Sequence, residues 1–394
     1  MGNHSRRFSF VSATEIIGEI PEGSGLFSTV GRASEEFDLR TSKMALKVSS
    51  GGAMRPTVHD IAAAAGVSLA TVDRVLNQRP GVRNVTREKV ESAIREIGYV
   101  RDVAAANLAK GRTYPFVFIV PASDNSFMHG LNAEVRAAVA RSPVERTDIR
   151  TIEVPAFDPA ALVNELDRLR EERPAGVALV ATDAPEVREA VDRLVQDGIP
   201  VVTVVSDLTG SLRHHYAGVD NIAAGRTAAR LLGRFLGGAK GEIAVLAGSM
   251  LVRDHRERLE GFAALIATEF PSLSILPVIE GRDDPELAHM LVADALSKKE
   301  EIIGIYSLGA GNRGLIRALK EKAADRSLTV VAHELTDHTR TALLDGTIDA
   351  ILNQDAGHEV RSAIRVLKAK ADGLSVIDAQ ERIRLDIFLK DNLP

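Results

Sequence analysis

Two stretches of this chain combine residue type and spacing in a way that could do chemistry. The first is Thr57-Val-His-Asp-Ile-Ala-Ala-Ala-Ala-Gly-Val-Ser-Leu-Ala-Thr-Val-Asp-Arg-Val-Leu-Asn77, which has the form of a helix-turn-helix broken at Ala65-Gly66-Val67-Ser68. Glycine tolerates the conformation such a turn needs, Val67 plugs the junction, and Ser68 caps the second helix. The N-terminus of that helix would project Leu69, Ala70 and Arg74 toward base edges while backbone N–H groups meet phosphate. Leu69 and Ala70 carry no hydrogen-bonding side chain. Reading there rests on apolar contacts such as thymine methyls, which leaves Arg74 for guanine.

The second stretch is Gly309-Ala-Gly-Asn-Arg-Gly314, a literal G-x-G-x-x-G that follows an apolar run at 302–307, opens a helical pattern and has Glu334 about twenty residues on. Two readings of it stay open. It is a dinucleotide site for NAD(H), which would imply a redox-sensing regulator or an unusual oxidoreductase fused to DNA binding, or it is a βα turn whose glycines serve close packing of helix on strand. No other spacing points to catalysis: the sequence has no G-x-S-x-G elbow, no H-E-x-x-H and no P-loop. It has no cysteine, so neither a disulfide framework nor a thiolate metal site can form. His214 and His215 are adjacent, so on a regular strand they point in different directions, and surface or loop positions are expected rather than a metal site. The expectation is a non-enzyme with no cofactor and no metal.

The 394 residues have a formal net charge of −5, which splits unevenly: 0 over residues 1–53, +4 over 54–112 and −9 over 113–394. A small basic unit ahead of a large acidic one is the asymmetry expected when only one part meets phosphates. Residues 1–53 show no sustained periodicity, and disorder is expected there. Met54 stands directly before the first motif, so either translation starts at Met54 or the first 53 residues form a regulatory arm. No apolar run approaches the roughly 18 residues of a spanning helix, and the first residues lack the apolar core of a secretory signal. A cytoplasmic, nucleoid-associated protein with no membrane partner is expected.

From Thr57 to Gly98 the pattern is compact and helical. Ile61, Ala65, Val67, Val72, Val75 and Leu76 supply apolar faces for two helices, and a third follows Thr86 as its N-cap, with Val90, Ala93, Ile94 and Ile97 on one stripe. Beyond Tyr114 short β-rich runs at 116–121, 149–154, 177–181, 200–205, 242–247, 274–279, 302–307, 328–333 and 348–353 alternate with helical stretches such as 131–141, 160–170, 185–196, 222–236 and 286–297. Such alternation means parallel sheets with helices on both faces. The connection from Asp220 to Gly241 separates two similar halves, hence two doubly wound lobes with a cleft between them, where ligands of such folds bind. The expected division is 1–53 as an extension, 54–101 as a DNA-binding headpiece, 102–112 as a hinge and 113–394 as a two-lobed domain.

The segment 57–77, together with Gly81-Val82-Arg83 and Thr86-Arg87-Glu88-Lys89-Val90, resembles the headpiece of the LacI/GalR repressor family, almost without gaps. The likeness continues through Ile97-Gly98-Tyr99 into Val103–Lys110. It implies operator contacts from Thr57, Ser68, Leu69, Ala70, Thr71, Arg74, Asn77 and Arg83. It also implies a hinge helix that orders on the operator, with Leu108 wedged into the minor groove. Leu108 as an ordinary buried residue of a linker helix is the other reading, and Arg55, Arg83, Arg87 and Lys110 are either phosphate contacts or solvated charges. Hinge helices act in pairs on a pseudo-palindrome, so a homodimer is expected. One position departs from the family: Asp73 stands where a serine is usual. It replaces a phosphate-contacting hydroxyl with a carboxylate, which either orients Arg74 or faces solvent.

Residues 114 to 390 resemble, more loosely, the periplasmic sugar-binding fold on which this family builds its sensor. The resemblance implies an effector site made of Asp124 and Phe127 after the first strand, Asp207 after the fourth, Arg258 from the opposite lobe, and Asn312, Glu334 and Gln354, which end strands or begin helices of the second lobe. A sugar needs paired donors and acceptors for its hydroxyls and a flat apolar face, and this set offers both. Asp220-Asn221 before Ala224-Gly225 matches another family motif, in which the acid contacts ligand or caps the following helix. The implied function is a transcription regulator, a repressor of a sugar or polyol catabolic operon, whose operator affinity is set by a small effector. An activator of the same architecture and a plain solute-binding protein are the alternatives.

Overall fold

A computed structural model of the chain describes residues 55–100, 107, 111–123, 125–309, 311–324 and 327–394. Leu108 and Asp124 lie outside the described residues, as do residues 1–54 and most of the segment 102–112. The chain divides into two compact units, one ending at Val100 and one beginning at Arg101.

The first unit is three helices: α1 (Val58–Ala65), α2 (Leu69–Leu76) and α3 (Asn84–Glu96). Thr57 opens α1, and the Asp60 carboxylate accepts from its backbone N–H at 2.7 Å and its hydroxyl at 2.8 Å. Gly66 ends α1 at φ +63°, a left-handed position that suits glycine. Ser68 caps α2 by accepting from the Thr71 N–H at 3.3 Å. Ile61, Val72, Val75, Val90 and Ala93 form the buried core, with Ala65, Val67, Leu76, Ile94 and Ile97 packed around them. The third helix begins two residues before the expected cap. Arg83 is its N-cap residue and Thr86 lies in its first turn, because the Thr86 N–H already bonds back to the Arg83 carbonyl at 2.9 Å.

The second unit has two sheets. The first holds β1 (Tyr114–Ala122), β2 (Thr147–Pro155), β3 (Gly176–Leu179), β4 (Val201–Val204) and β5 (His215–Ala217), all parallel, in the order β2-β1-β3-β4-β5. Residues of β1 alternate between two cores: Phe116, Phe118 and Val120 enter one, Val117 and Ile119 the other. α5 (Pro159–Glu172) and α6 (Pro185–Gln196) cover the second face, while α4 (Ser126–Glu145) lies on the first. The second sheet holds β6 (Gly241–Ala247), β7 (Leu273–Ile275), β8 (Ile279–Glu280), β9 (Ile302–Ser307), β10 (Thr329–His333), β11 (Ala350–Gln354) and β12 (Leu385–Phe388). Helices α7 (Asn221–Phe235) and α8 (Arg253–Glu269) pack on one face, and α9 (Pro285–Lys298), α10 (Asn312–Lys322) and α11 (Asp337–Leu344) on the other.

The two-lobed α/β architecture is the expected one, but three details differ. The run 274–279 is two strands, β7 and β8, each pairing with a different part of β6. Strands β5 and β12 are additional, and β12 is antiparallel to β11 at the sheet edge, where no helix must cover a crossover. The lobes are also not sequential halves. Helix α7 belongs to the second lobe, and α12 (Ala356–Ala371) returns to the first, where Val360, Ala363, Ile364 and Leu367 join the core of Phe116 and Phe118. The chain therefore passes between lobes three times: after β5, after β11, and between α13 (Asp378–Glu381) and β12.

Candidate functional site

Helix α2 of the first unit presents Leu69, Ala70, Asp73 and Arg74 as exposed residues, while Val72 and Val75 face the core. Asp73 does not orient Arg74. Its carboxylate accepts from Asn77 Nδ2 at 2.7 Å and from Arg79 Nη1 at 3.1 Å. This ties the Asn77 amide and one of the headpiece's cations to an acid inside the unit. The Thr71 hydroxyl lies 3.0 Å from the Ser68 hydroxyl, the Thr57 hydroxyl is held by Asp60, and Arg83 is exposed at the start of α3. Of the anticipated contacts, Leu69, Ala70 and Arg74 thus stand together on one surface with side chains not committed to the headpiece's own polar bonds.

In the second unit a cavity opens between the lobes, with about 700 Å³ of empty space counting its mouth. Strand ends and first helical turns supply its walls, as the geometry of parallel sheets requires. Phe127, Met128, Val154, Phe157, Leu162 and Val252 form the apolar part. Arg258 on α8 is the central polar group and is 1% exposed. Its Nε donates to Asn221 Oδ1 at 2.8 Å, its Nη1 donates to the Leu308 carbonyl at 2.6 Å and approaches Glu334 Oε1 at 3.4 Å, and its Nη2 has no protein partner. Gln354 Nε2 donates to Glu334 Oε1 at 3.0 Å, leaving Glu334 Oε2 and Gln354 Oε1 unpartnered. Ser206 Oγ, Asp254 Oδ1 and Asp283 Oδ1, on three further lining residues, are buried without partners as well. Buried polar atoms are nearly always paired, so a cluster of six around one cavity marks a place where a polar ligand completes the bonding.

The electrostatics agree. Burial pushes the Glu334 carboxyl up to about 7, against the pull of Arg258 and Gln354. Burial likewise raises Asp283, against His255 and the bonds from Asn125 and Ser123. For Arg258 burial works against the charge, yet Glu334 and Asp254 outweigh it and hold the guanidinium above its ordinary value. Backbone strain gathers here too. Of eight non-glycine residues with positive φ among the described residues, Phe157 (60°), Val205 (65°), Asp283 (60°) and Glu334 (73°) line this cavity. Such strain persists only where the surrounding structure fixes it, and it concentrates at binding sites. Across the mouth the Asp183 carboxylate of the first lobe pairs with Arg256 of the second, with Arg253 Nη1 at 3.8 Å, and Ser123 Oγ donates to Asp283 Oδ2 at 3.2 Å.

Among the residues expected from sequence, Phe127, Arg258, Glu334 and Gln354 come together around the cavity. Asp207 does not line it. Burial works against its charge, but Arg213 and Thr203 outweigh that and hold the carboxyl below its ordinary value, with Thr209 adding a bond at 2.9 Å. Its neighbour Ser206 takes the lining position instead. Asn312 reaches the adjoining mouth, but its amide is used as a strap: Oδ1 accepts from Ser307 at 2.7 Å and Nδ2 donates to the His333 carbonyl at 2.9 Å. Asp220 caps α7, accepting from the Ala223 N–H at 2.9 Å. Phe157, Asp254, His255 and Asp283 were not anticipated. Asp254 stands four residues before Arg258 and so shares its helix face, and Phe157 and Asp283 follow β2 and β8 as Glu334 follows β10; these spacings were the available signal.

Packing inside the lobe accounts for the glycines of 309–314. A Cβ on Gly314 would lie 2.2 Å from the Pro285 carbonyl oxygen, and one on Gly309 would lie 2.8 Å from Arg258 Nη1. Glu334, the acid that a dinucleotide site would turn toward a ribose, is engaged by Gln354 and Arg258. His214 is exposed and His215 half-buried on β5, and among the described residues no group of His, Asp and Glu is arranged to hold a metal ion. No described helix is long and apolar enough to cross a membrane.

Comparison with known proteins gives a consistent result for both units. Residues 116–375 match the family model described as periplasmic binding protein domain, and residues 57–102 match that of the bacterial regulatory proteins of the lacI family. The HTH-type transcriptional regulator DegA of Bacillus subtilis is 26% identical over 214 residues, which cover 53% of this chain and 60% of DegA. The HTH-type transcriptional regulator pepR1 of Lactobacillus delbrueckii subsp. lactis is 26% identical over 301 residues, covering 73% of this chain and 84% of pepR1. GanP, a glucose-galactose binding protein from Geobacillus stearothermophilus, superposes with a TM-score of 0.64 at 20% identity over 72% of this chain and 99% of its own, a likeness of fold. The chain thus belongs, over residues 116–375, to the periplasmic binding protein domain family, and carries ahead of it a headpiece sequence that matches the lacI family of bacterial regulatory proteins.

Proposed function

We propose that this protein is a transcription regulator that grips operator DNA through α2 and a hinge over residues 102–112. Its grip is set by a neutral sugar or polyol held in the cavity. The observation that carries the effector reading is the ring of unpartnered buried atoms on Ser206, Asp254, Arg258, Asp283, Glu334 and Gln354. Four acceptors and two donor groups around apolar walls suit a ligand whose hydroxyls both give and take hydrogen bonds, with its flat faces against Phe127 and Phe157. The exposed Leu69, Ala70 and Arg74 serve base recognition. The working form is a homodimer in the cytoplasm, and its role is repression of an operon for sugar or polyol catabolism. Ligand closes the lobes, and closure changes operator affinity to the extent that the two forms bind ligand differently, typically 1 to 3 kcal/mol of coupling.

The test is a melting-temperature screen of the full chain against D-glucose, D-galactose, D-ribose, D-xylose, myo-inositol, sugar phosphates and NAD(H), because a ligand that binds the folded state raises the melting temperature. The expected result is a rise with a neutral sugar or polyol that disappears in Arg258→Ala. In parallel, DNA fragments selected from a genomic pool by the full chain should lose binding in Arg74→Ala and change affinity when that sugar is added. A rise with NAD(H) alone, or DNA binding indifferent to Arg74, would overturn the proposal.

A further inference from the structure

A chain of side-chain hydrogen bonds runs from the ligand-facing guanidinium to the crossover between lobes. Arg258 Nε donates to Asn221 Oδ1 at 2.8 Å, Asn221 Nδ2 donates to the Tyr216 hydroxyl at 3.1 Å, and that hydroxyl donates to the Val205 carbonyl at 2.8 Å, with the Val219 carbonyl at 3.2 Å. The direction of every bond is fixed from one end. Arginine can only donate, so Asn221 must turn its oxygen to Arg258 and its NH₂ to Tyr216, and Tyr216 must then spend its single proton on a backbone carbonyl. Burial holds the Tyr216 phenol well above its ordinary value, so that proton stays in place. Val205 directly follows β4 in the first lobe, at φ +65° and next to the cavity-lining Ser206, while Val219 lies in the first crossover. The tyrosine ring lies over Gly218, where a Cβ would sit 2.3 Å from it, so the crossover is shaped around this side chain. Neither Tyr216 nor Asn221 lines the cavity.

We propose that Asn221 and Tyr216 are positioning residues that hold Arg258 in its ligand-binding orientation only while the lobes are closed, and so make ligand affinity depend on the crossover between the lobes. This rests on the reading of the cavity as the effector site. Opening the lobes moves the Val205 carbonyl away from Val219, the tyrosine proton loses one acceptor, and the chain that orients Arg258 slackens. In the other direction, a ligand that engages Arg258 Nη2 tightens the chain and draws the two carbonyls together.

The experiment is a double-mutant cycle on the full chain with Tyr216→Phe, which removes one oxygen, and Arg258→Lys, which keeps the charge facing Glu334 but loses the Nε bond to Asn221. Side chains that do not touch are expected to act additively unless they are coupled. Calorimetry should show Tyr216→Phe lowering the melting temperature by about 2 to 3 °C in the parent and by less than about 1 °C in the Arg258→Lys background. Equal drops in both backgrounds would mean that Tyr216 merely ties two carbonyls together, and the relay would be wrong. Should Arg258→Lys fail to fold, Asn221→Leu breaks the same link and carries the same expectation. A second readout uses whichever of D-glucose, D-galactose, D-ribose, D-xylose or myo-inositol raises the melting temperature: Tyr216→Phe should weaken its binding roughly threefold or more, and should weaken it no further once Arg258 is lysine. The calorimetric cycle needs no sugar. A negative sugar screen therefore removes the effector reading and leaves the relay to stand or fall on the cycle, whereas additivity removes the relay whatever binds.

Discussion

Gly225→Ala is the substitution whose effect the packing defines most sharply. Gly225 lies on α7 where that helix crosses α8, and a Cβ built there falls 1.9 Å from the Arg258 carbonyl oxygen, 2.7 Å from its carbon and 2.9 Å from the Phe262 nitrogen. All three are backbone atoms, so no side chain can swing aside. One turn away the contact is repeated from the other helix, with a Cβ on Gly261 only 2.1 Å from the Ile222 carbonyl oxygen. Restoring an ordinary contact of at least 3.4 Å requires the helices to separate by about 1.5 Å. With no flexible neighbour the cost belongs at or above the upper end for overpacking, roughly 3 kcal/mol, or roughly 6 to 10 °C in melting temperature. The displaced segment carries Arg258 itself, whose bonds to Asn221 and Leu308 at 2.8 and 2.6 Å cannot survive such a shift. Sugar affinity should therefore fall by about tenfold or more. Calorimetry and sugar titration of the variant read both effects. Gly130→Ala, on α4 with nothing within 4 Å of the added carbon, is the control, and its gain in helix propensity should leave it neutral or up to about 1 kcal/mol more stable. A Gly225→Ala protein that melts like the Gly130→Ala control would refute the reasoning.

Two further outcomes are expected. Burial lifts the Glu334 carboxyl from an ordinary 4.5 to about 7, so between those values the folded chain keeps a proton that the unfolded chain has released. Stability of the unliganded protein then falls as pH rises from 4.5 to about 7 and levels off above, a loss of about 3 kcal/mol. Comparing melting temperatures of the parent and Glu334→Gln across pH 4.5 to 8 isolates this contribution, and parallel curves would exclude it. On the headpiece, Asp73→Ser removes a carboxylate that phosphate repels and frees Arg79 and Asn77 from it, so DNA affinity should rise by roughly threefold to tenfold at low salt and by less at high salt. An unchanged or weaker complex in a fluorescence-anisotropy titration would show that the Asp73–Arg79 pair serves the headpiece's own stability instead.

Local structure was legible in the residues alone. Gly66 at the left-handed turn, Ser68 as a cap and the apolar spacing of Ile61, Val72 and Val75 were sufficient for the helix-turn-helix, because each acts over a few residues. The alternation of short β-rich and helical runs was sufficient for the parallel strands of both sheets, since parallel strands need crossover helices, but not for the antiparallel edge strand β12. The resemblance to the periplasmic sugar-binding fold singled out Phe127 after β1 and Glu334 and Gln354 at the ends of β10 and β11, and there they line the cavity. Which neighbour each polar side chain meets was settled by long-range packing. Asp207 and Glu334 are both acids after strands, yet Arg213 lies beside the first and satisfies it, whereas Glu334 meets Arg258 and Gln354 through Oε1 alone and its Oε2 is left without a partner. The spacing of the glycines of 309–314 left a dinucleotide site and a close-packed βα turn both open, and the Pro285 carbonyl and Arg258 lying against them are the packing that glycine accommodates. The return of α12 to the first lobe is likewise a long-range choice, settled by the fit of Val360 and Leu367 against Phe116 and Phe118. Periodicity marks a helix's buried face but not the sheet that buries it, and for the same reason it marks a site's residues but not the bonds that leave some of them open to a ligand.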